Sequence, residues 1–122
     1  MEHAYNRVKN IKGKPFEADY KSLAKTFPAM VQNNGLSVAI AFLSAKDKAH
    51  HGEKGHHGEL NKAVLDWLKS SDCLVVTLDE GKDLMGNIVD FSREEYRLVS
   101  KETMLYAQWI KRFAEGMLES GE

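Results

Sequence analysis

The strongest constraint on the fold lies near the end of the chain. Ser92-Arg93-Glu94-Glu95 matches the capping-box pattern, in which a serine hydroxyl accepts from the backbone three residues on and a glutamate there reaches back. Behind it Tyr96, Val99, Tyr106, Trp109, Ile110, Phe113 and Met117 recur on one wide face. No breaker follows until Gly116, which weakens only the last turn, by about 1 kcal/mol. These features predict a helix from Ser92 to about Leu118. An aromatic face of that length has to be covered, so the helix is expected to be the spine against which shorter ones pack.

The shorter helices are read from the same spacing. Ala4, Tyr5, Val8 and Ile11 predict a first helix ending near Lys12, stopped by Gly13-Lys14-Pro15. From Pro15, favourable in a first turn, Phe16, Tyr20, Leu23 and Phe27 share a stripe. Pro28 is expected to kink this helix, which resumes weakly through Ala29, Met30 and Val31 and ends at Asn33-Asn34-Gly35. Leu36 to Leu43 is apolar nearly all round, and its alternating alanines favour a buried helix, ending near Lys48, over a strand. Residues 50–59, HHGEKGHHGE, repeat a polar, glycine-containing tetrapeptide and predict a loop. Leu60, Ala63, Val64, Trp67 and Leu68 predict a further helix, closed by Ser70-Ser71-Asp72. Cys73 to Leu78, CLVVTL, has strand propensity but no partner strand, so helix or extended packing is expected. Asp79, Glu80 and Asp83 then cap or open a short helix carrying Leu84, Met85, Ile88 and Val89. The fold class expected is all-α: a single-domain bundle of about five or six helices over residues 1–122, with a long C-terminal helix.

Composition narrows the function classes. A chain of 122 residues, 43% apolar and 29% charged, has the balance of one folded globular core. The lone Cys73 has no intramolecular disulfide partner, and Met1-Glu2-His3-Ala4 does not open a signal peptide, so a reducing, cytoplasmic setting is expected. No apolar run approaches the roughly 20 residues that cross a bilayer. The net charge is −1, but residues 1–48 hold eight Lys/Arg against four Asp/Glu and residues 49–122 hold nine against fourteen, giving +4 and −5. A basic surface on a near-neutral chain is therefore allowed.

Few residues suggest catalysis. His50, His51, His56 and His57 are potential ligands for zinc, nickel or copper, but they sit in a glycine-spaced tract without an identifiable supporting shell, where a solvated loop is the simpler reading. No set of nucleophile, base and orienting group is spelled out, nor a glycine-rich phosphate loop, a GxSxG or an HExxH. Neither an enzyme nor a cofactor is expected. The basic residues say more. Arg97, Lys101, Gln108 and Arg112 form one ridge opposite the aromatic face, roughly 22 Å long from Arg97 to Arg112, enough to follow several nucleotides of phosphate backbone. Lys21 and Lys25 extend it. Both lie off the apolar stripe of their helix, so reversing their charge is expected to leave folding intact. Taken alone, such a ridge is usually no more than a solvated helix face.

Two stretches carry a resemblance to a family. FEADYKSLAKTFPAMVQNNGLSVAIAFLSAK (16–46) and EYRLVSKETMLYAQWIKRFAEGML (95–118) resemble the small all-helical subunit of the type III-B (Cmr) CRISPR effector complex. The match is densest at YKSLAKTFP, at NNGL with AIAFL, and at EYR followed by WIKRFAEGML, in the family's order and over a little under half the chain. Residues 47–91 match nothing in that pattern. The resemblance implies a non-catalytic subunit of an antiviral ribonucleoprotein. It stacks with other copies of itself beside the larger Cmr backbone subunits and contacts the phosphates of CRISPR guide RNA and target RNA, while base pairing supplies specificity. The positions it marks for phosphate neutralisation are Lys21, Lys25, Lys46, Arg97, Lys101, Lys111 and Arg112. Two other readings stay open: a helical protein–protein adaptor unrelated to nucleic acid, and a metal-binding protein using the histidine tract.

Overall fold

The computed structural model describes residues 1–49, 55–70, 73 and 76–120. Its described residues hold six helices and no strand: α1 (Glu2–Lys9), α2 (Glu17–Asn34), α3 (Leu36–Ala49), α4 (His56–Lys69), α5 (Leu84–Val89) and α6 (Arg93–Met117). The all-α expectation is met, long C-terminal helix included.

Helix α6 starts where the capping box predicts. Ser92 Oγ accepts from Glu95 N at 3.1 Å and Glu95 Oε1 accepts from Ser92 N at 2.8 Å. Its 25 residues make a rod of about 37 Å. The rod buries Val99, Thr103, Tyr106, Ala107, Ile110 and Ala114. Small side chains at 107 and 114 let neighbouring backbones approach, and α2 and α1 pack along the rod. Of the aromatics predicted for the core face, Tyr106 is buried and Tyr96, Trp109 and Phe113 are half-buried. Trp109 and Phe113 lie on the flank of the face that Ile110 and Ala114 share, and Tyr96 sits on that face in the first turn, its hydroxyl bonded to Ser37.

Helix α2 includes Pro28 and ends at Asn34, where the Asn33-Asn34-Gly35 signal predicts. Phe27, Pro28 and Val31 are all buried, so tertiary packing outweighs the one backbone hydrogen bond that the proline removes. Gly35 then ends it at φ +90°, a backbone conformation that favours glycine, and its N–H donates to Val31 O. Helix α3 leaves in a new direction and is tied to α6, because Ser37 N donates to Tyr96 Oη at 3.0 Å.

Helix α4 begins at His56, not Leu60, so the second half of the HHGE repeat is the first turn of a helix rather than loop. Leu60, Val64 and Leu68 drive this extension by docking into the core. His50 and His51 lie outside the described residues, as do Ser71, Asp72, Leu74 and Val75. Of the CLVVTL run, Cys73 and Val76–Leu78 are described and are non-helical, with Cys73 and Leu78 buried, in line with extended packing. The segment after it is held by Asn87, buried on α5. Its Oδ1 accepts from Asp79 N at 2.7 Å, and its Nδ2 donates to the carbonyls of Asp83, Lys82 and Asp79. Asp83 caps α5 as expected, accepting from Gly86 N.

Two further devices close the bundle. Arg7 on α1 pairs with Asp66 on α4 at 2.7 Å, and Trp67 stacks on Tyr106 with ring centroids 5.4 Å apart while its indole N–H donates to Glu102. At the other end the last turn of α6 is clamped. Lys12 Nζ donates to Met117 O at 3.0 Å, Lys21 Nζ to Leu118 O at 2.9 Å, and Glu17 accepts from the backbone N–H groups of Gly13 and Glu119.

Candidate nucleic-acid interface

The outer face of α6 is the one candidate that the fold assembles from residues marked in the sequence. At 100° per residue, Arg97, Lys101, Gln108 and Arg112 fall within about 60° of one another, on the side opposite Val99, Ile110 and Ala114. All four are exposed. Lys111 is half-buried on the flank toward Leu118, whose carbonyl Lys21 holds.

The cations on this surface are not equivalent. Lys101 and Lys25 are exposed and enter no ion pair among the described residues. Arg112 lies over the Trp109 ring, 5.3 Å from its centroid, which fixes the guanidinium plane without neutralising it. Arg97 is different. Its guanidinium forks onto Glu94, Nη2 to Oε1 at 2.7 Å and Nε to Oε2 at 3.2 Å. That hydrogen-bonded pairing raises the arginine's pKa and lowers the glutamate's, so both stay charged and their local fields largely cancel.

Lys21 corrects the sequence reading more sharply. It is half-buried, and its ammonium donates to Leu118 O and reaches Ser120 Oγ at 3.4 Å. A lysine on the last carbonyls of a helix satisfies orphan acceptors and the negative end of the dipole, so its charge is engaged in folding. The premise that Lys21, like Lys25, is disengaged from the fold is not met, because its ammonium is tied to the end of α6. Lys46 stands apart, roughly 13 Å beyond Ser37 along α3, with its ammonium 5.8 Å from the Phe42 ring centroid.

The same face carries residues that sequence reasoning passed over. Leu98 is 36% exposed and Leu105 51%, two turns apart beside the cationic ridge. Tyr5 of α1, 40% exposed, meets Phe113 edge-on at 5.5 Å, and Phe113 in turn stacks with Trp109 at 5.6 Å. The i, i+7 spacing of Leu98 and Leu105 was legible; the approach of α1 to α6 was not. His56 and His57 are adjacent rings on α4, 4.0 Å apart, and no group of three or more potential metal ligands occurs among the described residues. No helix among those residues is long and apolar enough to cross a membrane.

Comparison with known proteins decides the family. The family model described as CRISPR-associated protein (Cas_Cmr5) matches residues 1–117. The chain belongs to the CRISPR-associated Cmr5 family. The small type III-B subunit to which residues 16–46 and 95–118 bear a resemblance is thus the right relative, and the match extends across residues 47–91 as well. The CRISPR system Cmr subunit Cmr5 of Thermus thermophilus is 24% identical over 97% of this chain and 91% of its own length. The crystal structure of a Cmr5 family protein from the same organism superposes with a TM-score of 0.76, at 24% identity, covering 97% of this chain and 92% of that one. The likeness in structure establishes a shared helical fold. Membership of the family makes the chain a small subunit of the type III-B CRISPR defence system.

Proposed function

We propose that this Cmr5-family chain is a non-catalytic, single-domain subunit of a cytoplasmic type III-B ribonucleoprotein, stacking with copies of itself beside the larger Cmr subunits. Its contribution is electrostatic: the outer face of α6, with Lys111 on its flank, and Lys25 on α2 neutralise guide and target RNA phosphates without reading bases. The observation that carries this reading is that Lys101 and Arg112 stand exposed on the helix face opposite the core and free of ion pairs among the described residues. Arg97 joins them when an RNA phosphate competes for the fork that Glu94 now holds. Lys46 serves a separate contact, and Lys21 acts chiefly by fixing the end of α6.

The test is RNA affinity as a function of salt. Each phosphate neutralised contributes a slope of about −0.7 in log K against log salt for a single strand. Replacing Lys101, Lys111 and Arg112 together by glutamine is expected to flatten the slope by about 1.5 to 2 and to weaken target capture by the reconstituted complex. An unchanged slope with intact folding removes this face from the RNA site. Exposure of Leu98 and Leu105 on the same face favours a second reading, in which that face docks a protein and RNA contact is incidental. Under that reading Leu98→Ser with Leu105→Ser releases the chain from the particle, and the triple glutamine variant does not.

A further inference from the structure

Four side chains at the junction of α1 and α6 form a row that runs from the core edge out to the surface. Tyr5 meets Phe113 edge-on with centroids 5.5 Å apart, Phe113 stacks with Trp109 at 5.6 Å and 23°, and the Arg112 guanidinium covers Trp109 at 5.3 Å. Tyr5 is 40% exposed, Arg112 is exposed and the two rings between them are half-buried. Trp109 and Phe113 pack partly against the core, while the Tyr5 ring and the Arg112 guanidinium at the two ends of the row are exposed to solvent. Its electrostatic setting is mixed with cations in excess: on α1 the exposed Glu2 precedes Tyr5 by one turn and Lys9 follows it by one, and on the outer face of α6 Lys101 precedes Arg112. Of the carboxylates on that stretch of α6, Glu102 is engaged by the Trp67 indole N–H, leaving Glu115 exposed one turn past Arg112.

A purely phosphate-binding surface has no use for exposed rings. Aromatic faces and guanidinium planes beside lysines are what hold unpaired bases, because every base offers a π face irrespective of sequence. We infer that Tyr5, Trp109, Phe113 and Arg112 form a stacking platform for an unpaired nucleobase of single-stranded RNA, with Lys9 and Lys101, on opposite sides of it along the bundle, meeting phosphates further along the strand. The inference rests on the proposed RNA contact and adds to it a contribution from bases that phosphate neutralisation lacks. The base lies on the Tyr5 ring or on the guanidinium plane already braced by Trp109, so little side-chain order remains to be acquired on binding.

The experiment compares two probes on the full chain: a single-stranded oligouridylate and an abasic ribose-phosphate oligomer with the same number of phosphates. Anisotropy at moderate salt is expected to show the oligouridylate bound about five- to thirtyfold more tightly. Tyr5→Leu, which keeps an apolar group against Phe113, is expected to remove most of that difference while leaving the abasic affinity unchanged. Arg112→Gln should lower both affinities and narrow the gap between them, and circular dichroism confirms that each variant folds. In a Trp67→Phe background, the emission of Trp109 should be quenched by the oligouridylate and not by the abasic oligomer. Equal, salt-dependent affinity for the two probes overturns the platform and leaves the phosphate contact standing. Binding of neither overturns both, and release of Tyr5→Leu from the particle with RNA affinity unaltered assigns the rings to a protein partner instead.

Discussion

Replacing Lys21 by methionine should destabilise the fold measurably, whereas the same change at Lys25, one helical turn away, should not. Lys21 is half-buried and donates to Leu118 O at 2.9 Å, at the point where α6 runs out of internal donors. A hydrogen bond from a charged donor contributes about 1.5–3 kcal/mol, and the favourable position at the helix C-terminus about 0.3–1 kcal/mol, both reduced by partial exposure. Methionine keeps most of the stem's packing, so about 1–2 kcal/mol should be lost. For a chain of this size that is roughly 3–10 °C in Tm. Lys21→Glu should cost more, because it sets a carboxylate against the carbonyl end of the helix and beside Glu17. Lys25 is exposed without an ion pair among the described residues, so Lys25→Met should stay within about 0.5 kcal/mol. Thermal and urea melts followed by circular dichroism at 222 nm give both numbers. A Lys21→Met protein melting within a degree of wild type refutes the clamp, and loss of RNA affinity in that variant without loss of stability returns Lys21 to the phosphate-binding set.

Glu17 belongs to the same clamp and gives it a pH dependence. Backbone N–H groups of Glu119 and Gly13 hold its pKa below the ordinary 4.5, so its stabilisation is full above that value and is lost as pH falls through the lowered folded pKa. Glu17→Gln should therefore lower stability at neutral pH and flatten the acid limb of a Tm-against-pH curve, and an unchanged acid limb would count against it. Asn87→Ala should cost about 1–2 kcal/mol in urea unfolding, since it removes the several hydrogen bonds that this buried amide makes to the backbone of residues 79, 82 and 83; a loss below about 0.5 kcal/mol would show that segment to be independent of α5. Glu94→Gln frees the Arg97 fork and should tighten RNA binding by roughly two- to threefold at low salt with a steeper salt slope, and weaker binding would place Arg97 outside the contact.

Much of the bundle is legible because its signals are local. The capping box at Ser92, the Asp83 cap and the apolar spacing of α1, α2 and α6 each act within a few residues, and each element stands where they indicate. The misreading of the HHGE repeat has a tertiary cause: its glycines at the start of α4 are overruled by the docking of Leu60 into the core. Among the candidate site residues, the spacing of Arg97, Lys101 and Arg112 was visible, and so was Glu94 at i−3 of Arg97, which the ridge reading neglected. The partners of Lys21 and Tyr5 were not: Leu118 and Phe113 lie nearly a hundred residues or more away along the chain.

By itself the amino-acid sequence determined that this chain is helical, where its longest helix begins, which side of that helix is charged, and which family it resembles. Periodicity and capping are properties of neighbours in the chain, and they survive without knowledge of the rest. Which charges remain available to a polyanion was decided only by the tertiary structure. An ammonium or guanidinium group is free or engaged according to what the fold brings within about 3 Å of it, and that distance has no counterpart in sequence spacing. Lys21 capping the end of α6 and Arg112 braced on Trp109 are the two outcomes of that rule.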